Sequence, residues 1–180
     1  TDKDKDTSYD ESKASTVKLS GSSATVSGDG VAVSGSTVTI SKTGTYVISG
    51  ESDGVQIKVE GGDSDDVHIV LKGVTMSNTN APISATKAGH VYLTLANGTT
   101  NTLSDSSSNS DVDADAVIFS KGDLTINGSG TLNIDAKKNN GIKANDTLHI
   151  TGGTYKITAV GDAFNVNDEL NITGTTMTID

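Results

Sequence analysis

The chain has 180 residues, no cysteine and a formal net charge of −10 at pH 7. That charge disfavours nucleic acid and anionic membranes as partners and favours cations, and the missing thiols exclude disulfides and thiolate metal sites. Only 33% of the residues are hydrophobic and 3% aromatic, which in an irregular sequence would point to disorder.

Residues 1–15 (TDKDKDTSYDESKAS) offer almost nothing to bury. Such a tail takes a fixed conformation only if its own domain or a neighbouring subunit holds it, so it is read as a polar arm, with an inter-subunit contact as one of the two ways to order it. Residues 16–180 are read as one domain. From Val17 to Gly50, short alternating segments (Val17/Leu19, Ala24/Val26, Val31/Val33, Val38/Ile40, Tyr46/Ile48) are separated by glycine turns, a pattern of capping strands around a first coil. Val55/Ile57/Val59, Val67/Ile69/Leu71 and Val74/Met76 form the next unit, and Pro82 opens the strand at Ile83, where a missing N–H is tolerated. Val91/Leu93/Leu95 and Leu103 follow, then the longest insertion, the acidic loop 104–115 (SDSSSNSDVDAD). A loop of this kind is either mobile or a binding loop.

Residues 117–179 repeat almost three times. The apolar positions Ile118, Leu124, Ile126, Leu132, Ile134 recur as Ile142, Leu148, Ile150, Tyr155, Ile157 and again as Phe164, Leu170, Ile172, Met177, Ile179. The period is about 22 to 24 residues, within the range of solenoids. The i, i+2 pairs are strand-like and no helical stripe is present. The predicted fold is therefore all-β, a parallel β-helix (β-solenoid) with N-terminal capping strands. A solenoid needs only a thin core, which overrides the compositional sign of disorder.

The chemistry-bearing residues fall on this register. Asp111, Asp113 and Asp115 alternate along the acidic loop, a set of hard oxygen ligands suited to Ca²⁺ but without the spacing of an EF-hand. Counting back from the first core residue of each unit, Asp115, Asn139/Asn140 and Asp162 form one predicted corner column; Asp123, Asp146 and Asp168 form a second. Stacked like charges are destabilising. Ca²⁺ would turn that repulsion into a cross-link, and the alternative is an Asn ladder with Asp side chains capping turn amides. For glycan contact, Tyr92 and Phe119 are the predicted outward rings, and Lys143 is the lysine beside the Asn139/Asn140 corner. Tyr46, Tyr155 and Phe164 fall on core positions. Arg is absent, and His68, His90 and His149 lack a Ser or Cys partner at motif spacing, so they read as surface residues and the sequence does not argue for an enzyme.

The stretches LSGSSATVSGDGVAVSGSTVTISKTGTYVISG, LANGTTNTLSD, AVIFSKGDLTINGSGTLNI and NNGIKANDTLHITGGT resemble a family of secreted bacterial carbohydrate-binding proteins best known in cellulolytic clostridia. The likeness covers residues 17–180. It implies a right-handed parallel β-helix similar to pectate lyases, calcium binding, and affinity for cellulose or pectin-like glycans without a need for catalysis. The chain is shorter than that family, and its last residues (TTMTID) read as a core strand pair with no cap. The expectation is a secreted, extracellular, non-catalytic protein without a membrane span. Its subunits would stack head to tail into a calcium-stiffened fibre, a form compatible with holding acidic or cellulosic polysaccharide. The alternative is a monomeric, calcium-dependent carbohydrate-binding module.

Overall fold

Short apolar alternations separated by glycine turns can bury their inward side chains only by stacking unit upon unit, and the strands are arranged in that way. The computed structural model describes residues 1–180. It contains one four-residue helix, α1 (Asp2–Lys5), and otherwise strands.

Two antiparallel hairpins lie at the N-terminal end: β1 (Ser15–Gly21) with β2 (Ser23–Ser27), and β3 (Val31–Ser34) with β4 (Thr37–Ile40). They are the capping strands expected from the tight spacing of this region. After them every pairing is parallel. Strands β5 (Gly44–Asp53), β6 (Gln56–Glu60), β7 (Asp66–Ser77), β8 (Ile83–Lys87), β9 (His90–Leu95) and β10 (Thr100–Ser104) make the middle units. The last nine strands come in threes: β11 (Ala116–Ser120), β12 (Asp123–Gly128) and β13 (Thr131–Ala136); β14 (Asn140–Ala144), β15 (Leu148–Thr151) and β16 (Thr154–Ala159); β17 (Phe164–Val166), β18 (Leu170–Thr173) and β19 (Thr176–Ile179).

Each triplet pairs in register with the one before. Ile118 aligns with Ile142 and then Phe164, Leu124 with Leu148 and Leu170, and Leu132 with Tyr155 and Met177. The fold is all-β, with parallel strands in a curled sheet of twelve strands and a second sheet of seven. The curl has a visible origin. Strands β5 and β7 run unbroken across a bend, and Gly50 (φ +92°) and Gly73 (φ +76°) supply it. A Cβ at Gly50 would stand 2.4 Å from the Leu19 carbonyl oxygen, so side chains are excluded by contact as well as by conformation.

One core of 33 buried residues runs from Val17 to Ile157. It is built of columns such as Ile69–Leu93–Ile126–Ile150. A polar residue, Asn101, occupies the inward position that Leu132 and Tyr155 fill in later units. It is fully buried. Its Oδ1 accepts from the Gly73 and Val74 amides at 3.0 and 2.9 Å, and its Nδ2 donates to the Thr131 carbonyl and the Thr99 hydroxyl. The bend at Gly73 frees two amides inside the protein, and Asn101 satisfies them.

The acidic loop is folded. Asp105 and Asn109 are buried. Asp105 accepts from the Lys137 amide at 2.7 Å and from Asn109 Nδ2 at 3.0 Å. Ala114 packs with Ala81 and Phe119 in a small satellite cluster.

Candidate functional site

Alternation along a strand sends every second side chain outward, and parallel register turns those outward residues into columns about 4.8 Å apart. On β7, β9, β12 and β15 one column reads His68, Tyr92, Thr125, His149, and its neighbour reads Val70, Thr94, Asn127, Thr151. These positions would be wet on a bare sheet. Thr94, Thr125 and Asn127 are instead at most 2% exposed, because the N-terminal arm lies across them.

The contacts are polar and directional. Thr125 Oγ1 donates to Asp4 Oδ1 at 2.6 Å, Asn127 Nδ2 donates to the carbonyls of Asp4 and Asp6, and Thr151 Oγ1 donates to the Asp4 carbonyl at 2.7 Å. Because the single Thr125 proton goes to Asp4, the His90 Nε2 at 2.8 Å must be the donor to Thr125. Thr94 likewise spends its proton on Asn127 Oδ1, so His68 Nε2 donates to Thr94 at 2.7 Å. Two relays, His90–Thr125–Asp4 and His68–Thr94–Asn127, therefore cross between neighbouring columns; the first ends on the arm and the second meets it through Asn127 Nδ2. Burial opposes the charge of Asp4. Hydrogen bonds from the Thr1 amino group, Thr125 and the Thr1 hydroxyl, with His149 nearby, outweigh it and hold this carboxyl far below the usual carboxylate range. Burial also pushes His68 and His90 down, against the nearby carboxylates of Asp6 and of Asp123, Asp4 and Asp66 respectively.

Beside the arm is a small depression of about 110 Å³ lined by Lys3, Asp6, Ser8, Asp66, His68 and Tyr92. Tyr92 stacks on His90 with ring centroids 4.0 Å apart and 5° between planes. The Lys3 Nζ sits 5.0 Å from the Tyr92 ring centre and pairs with Asp66. Residues 1–8 contain no large apolar side chain. The arm is thus held by hydrogen bonds, those to the buried Asp4 carboxylate being the strongest at about 1.5–3 kcal/mol each, by exposed ion pairs worth about 1 kcal/mol or less, and by the edge of Tyr9 on His68.

The predicted corner column is partly assembled. Asp115 aligns with Asn139, and Asn140 with Asp162. Both Asp115 oxygens are taken, one by Lys143 Nζ at 2.8 Å and the other by Asn139 Nδ2. Burial raises the Asp115 pKa, but the hydrogen bonds from Lys143 and Asn139 prevail and set it below the ordinary value. Asp111 Oδ1 caps the amides of Asp113 and Ala114. Asp111 and Asp115 are thus engaged separately, the first by turn amides and the second by Lys143 and Asn139, and do not converge on one point.

The second column is offset from its predicted register. Asp146 and Asp168 are neighbours, but Asp123 aligns with Thr147, whose amide it caps at 3.1 Å. The unit begins one residue later at Asp123 than the sequence spacing implied. No group of three His, Asp or Glu side chains that could hold a metal ion is present. Ca²⁺ takes six to eight oxygens, so these carboxylates alone do not make a cage.

The two predicted rings are less open than expected. Phe119 points away from the main core but is 3% exposed under Ala81 and Ala114, so it presents no stacking surface. Tyr92 is 9% exposed and reaches solvent only through the depression beside the arm. Lys143 follows Phe119 in register and is engaged by Asp115.

A second outward face is uncovered. On β10, β13, β16 and β19 the columns read Thr100, Thr131, Thr154, Thr176; then Thr102, Asn133, Lys156, Thr178; then Ser104, Asp135, Thr158. Thr102, Asn133, Ile134, Asp135, Lys156 and Thr158 line a shallow hollow of about 390 Å³. Asn133 and Lys156 have no side-chain partner in the protein. The sequence carried the signal for both faces, in the polar residues at i and i+2 of each strand, but only the register groups them.

A profile described as "Carbohydrate-binding domain-containing protein" matches residues 34–180. The chain belongs to this carbohydrate-binding domain family. A relative of the same description from Acetivibrio thermocellus is 38% identical over 125 residues, 66% of this chain and 44% of its own length. The chain thus spans less than half of that relative. A solved structure described as the polysaccharide lyase-like protein from C. thermocellum, gadolinium derivative, aligns with TM-score 0.82 and 31% identity over 92% of this chain and 82% of that one. The chain itself presents shallow polar hollows on its outward faces.

Proposed function

We propose that this chain is a non-catalytic carbohydrate-binding module that holds polysaccharide on the open face of β10, β13, β16 and β19. The observation carrying this reading is the family match together with a face whose polar side chains, Asn133 and Lys156 above all, are unspent within the protein. Sugar hydroxyls require donors and acceptors at regular spacing, and parallel register supplies them. Cellulosic or uronate-bearing chains are the ligand class. The backbone is read as a right-handed parallel β-helix, supported by the ladders and by the structural neighbour.

Calcium enters only as an auxiliary ligand at Asp146 and Asp168, adjacent carboxylates with no ion-pair partner, together with oxygens from solvent or glycan. Secretion and an extracellular site of action fit a glycan ligand. End-to-end stacking into fibres loses one of its two motivations, since the arm is spent on its own chain. Sedimentation of the purified protein over a concentration series tests whether it assembles.

The deciding experiment is retention on insoluble cellulose and on immobilised polygalacturonate, with and without chelator. Retention on either glycan supports the reading. Passage through both, at every calcium concentration, overturns it, and release of unsaturated product from pectate would overturn its non-catalytic part.

A further inference from the structure

Outside the open face, the strip beneath the arm is set apart from the cleft between Asp63, Lys87, Lys121 and Asp146 and from the acidic rim around Ser52 by what covers it. Its outward polar side chains are buried at Thr125 and Asn127 and half-buried at Thr151, and four of its protons are aimed at arm oxygens: the Thr125 hydroxyl, both protons of Asn127 Nδ2 and the Thr151 hydroxyl; at the edge of the strip Asp66 and the Tyr92 ring take the Lys3 ammonium instead. What they receive is one carboxylate and two backbone carbonyls in a row. None of the three recognises an amino-acid side chain that a protein alone can supply. The strip therefore reads acceptor oxygens along an extended chain, with a carboxylate at Thr125.

We propose that this strip is a second glycan-binding site, for uronate-bearing chains, and that residues 2–8 close it in cis as a self-ligand. The Asp4 carboxylate stands where a uronate carboxylate would lie, and the carbonyls of Asp4 and Asp6 stand in for sugar oxygens. Tyr92, stacked on His90 beside the arm, provides the ring face that the open face lacks. Displacement is feasible because nothing apolar anchors residues 1–8. The proposal rests on the carbohydrate-binding reading for its ligand class, while the arm and the strip are its own.

The test uses the full chain. Lys3→Cys introduces the sole thiol of the protein for a spin label, and Asp4→Ala removes the self-ligand carboxylate. An oligogalacturonide is titrated against the parent, Asp4→Ala and Asn127→Ala. The label should gain mobility as the oligosaccharide binds. Asp4→Ala should bind tighter by about tenfold if the arm covers nine-tenths of molecules, and Asn127→Ala should bind more weakly than Asp4→Ala. An immobile label at saturation, or equal affinity of parent and Asp4→Ala, overturns the competition while leaving binding at the open face intact. Capture of a synthetic peptide of residues 1–9 by Asp4→Ala, with no uptake of oligogalacturonide, overturns the glycan assignment and leaves a self-docking groove. Loss of cellulose retention in variants of the open face bears on the proposed function alone.

Discussion

Asn101 shows how one side chain sets a local outcome. Its amide answers two backbone N–H groups freed at the Gly73 bend, inside a core that otherwise reads as aliphatic columns. Asn101→Leu keeps the branched shape but orphans both amides, and an unsatisfied buried group costs about 1–3 kcal/mol. Urea unfolding of Asn101→Leu should show a loss of about 3 kcal/mol, and an unchanged midpoint would remove Asn101 from this role. Asp115 gives a second prediction, with its sign. Its pKa is lowered in the folded protein, so its stabilisation is present above the ordinary value near about 3.9 and is lost as pH falls through the lower folded value. Lys143→Ala should destabilise the protein at neutral pH by about 1–2 kcal/mol. It should also flatten the decline in melting temperature between about pH 5 and 3. A parallel decline in both proteins would assign the acid sensitivity elsewhere. Neither role was legible in sequence, where Asn101 looks like a loop residue and Asp115 like one aspartate of an alternating set.

At the scale of elements the arm is the informative case. Its composition, taken alone, is that of a disordered tail, and an inter-subunit contact was the reading that could order it. The structure orders it against β12 and β15 of the same chain, through Asp4, which no local pattern distinguishes from Asp2 or Asp6. The missing information was the register that sets Thr125, Asn127 and Thr151 side by side. Docking also has a pH dependence. The groups facing His68 are Asp6, Thr94 and Tyr9; those facing His90 are Asp123, Asp4, Asp66, His149 and Tyr92. Burial lowers both histidines in the docked state. Docking is therefore favoured above the ordinary imidazole value of about 6.5 and weakens as pH falls through the lowered values. Amide hydrogen exchange of residues 3–8, corrected for intrinsic rate, should be more protected at about pH 7.5 than at about pH 5.5. Equal or greater protection at the lower value would contradict this reading. Raised salt should act in the same direction through the exposed Lys3–Asp66 and Lys72–Glu11 pairs.

For the whole molecule, the repeat carried most of the fold. The all-β class, the parallel stacking of residues 117–179, the N-terminal hairpins and the core positions up to Ile157 follow from period-two apolar pairs recurring after 22 to 24 residues, whereas Leu170, Ile172 and Ile179 of the last unit keep the register but are exposed. The candidate site was legible only in part, because a period defines which residues point outward but not what covers them. Phe119 is outward and yet hidden by the folded acidic loop; Asn133 and Lys156 are outward and left free. The unequal spacing of successive units also displaced Asp123 from the column assigned to it. Function accordingly rests on which outward columns remain open. Isothermal titration of a cello-oligosaccharide and an oligogalacturonide into the parent and an Asn133→Ala/Lys156→Ala variant tests this most directly. The account predicts binding of at least one glycan by the parent and a loss of about tenfold or more, roughly 1.4 kcal/mol, in the variant with unchanged melting temperature. Equal affinity of the two proteins, or no heat with either glycan, would contradict it.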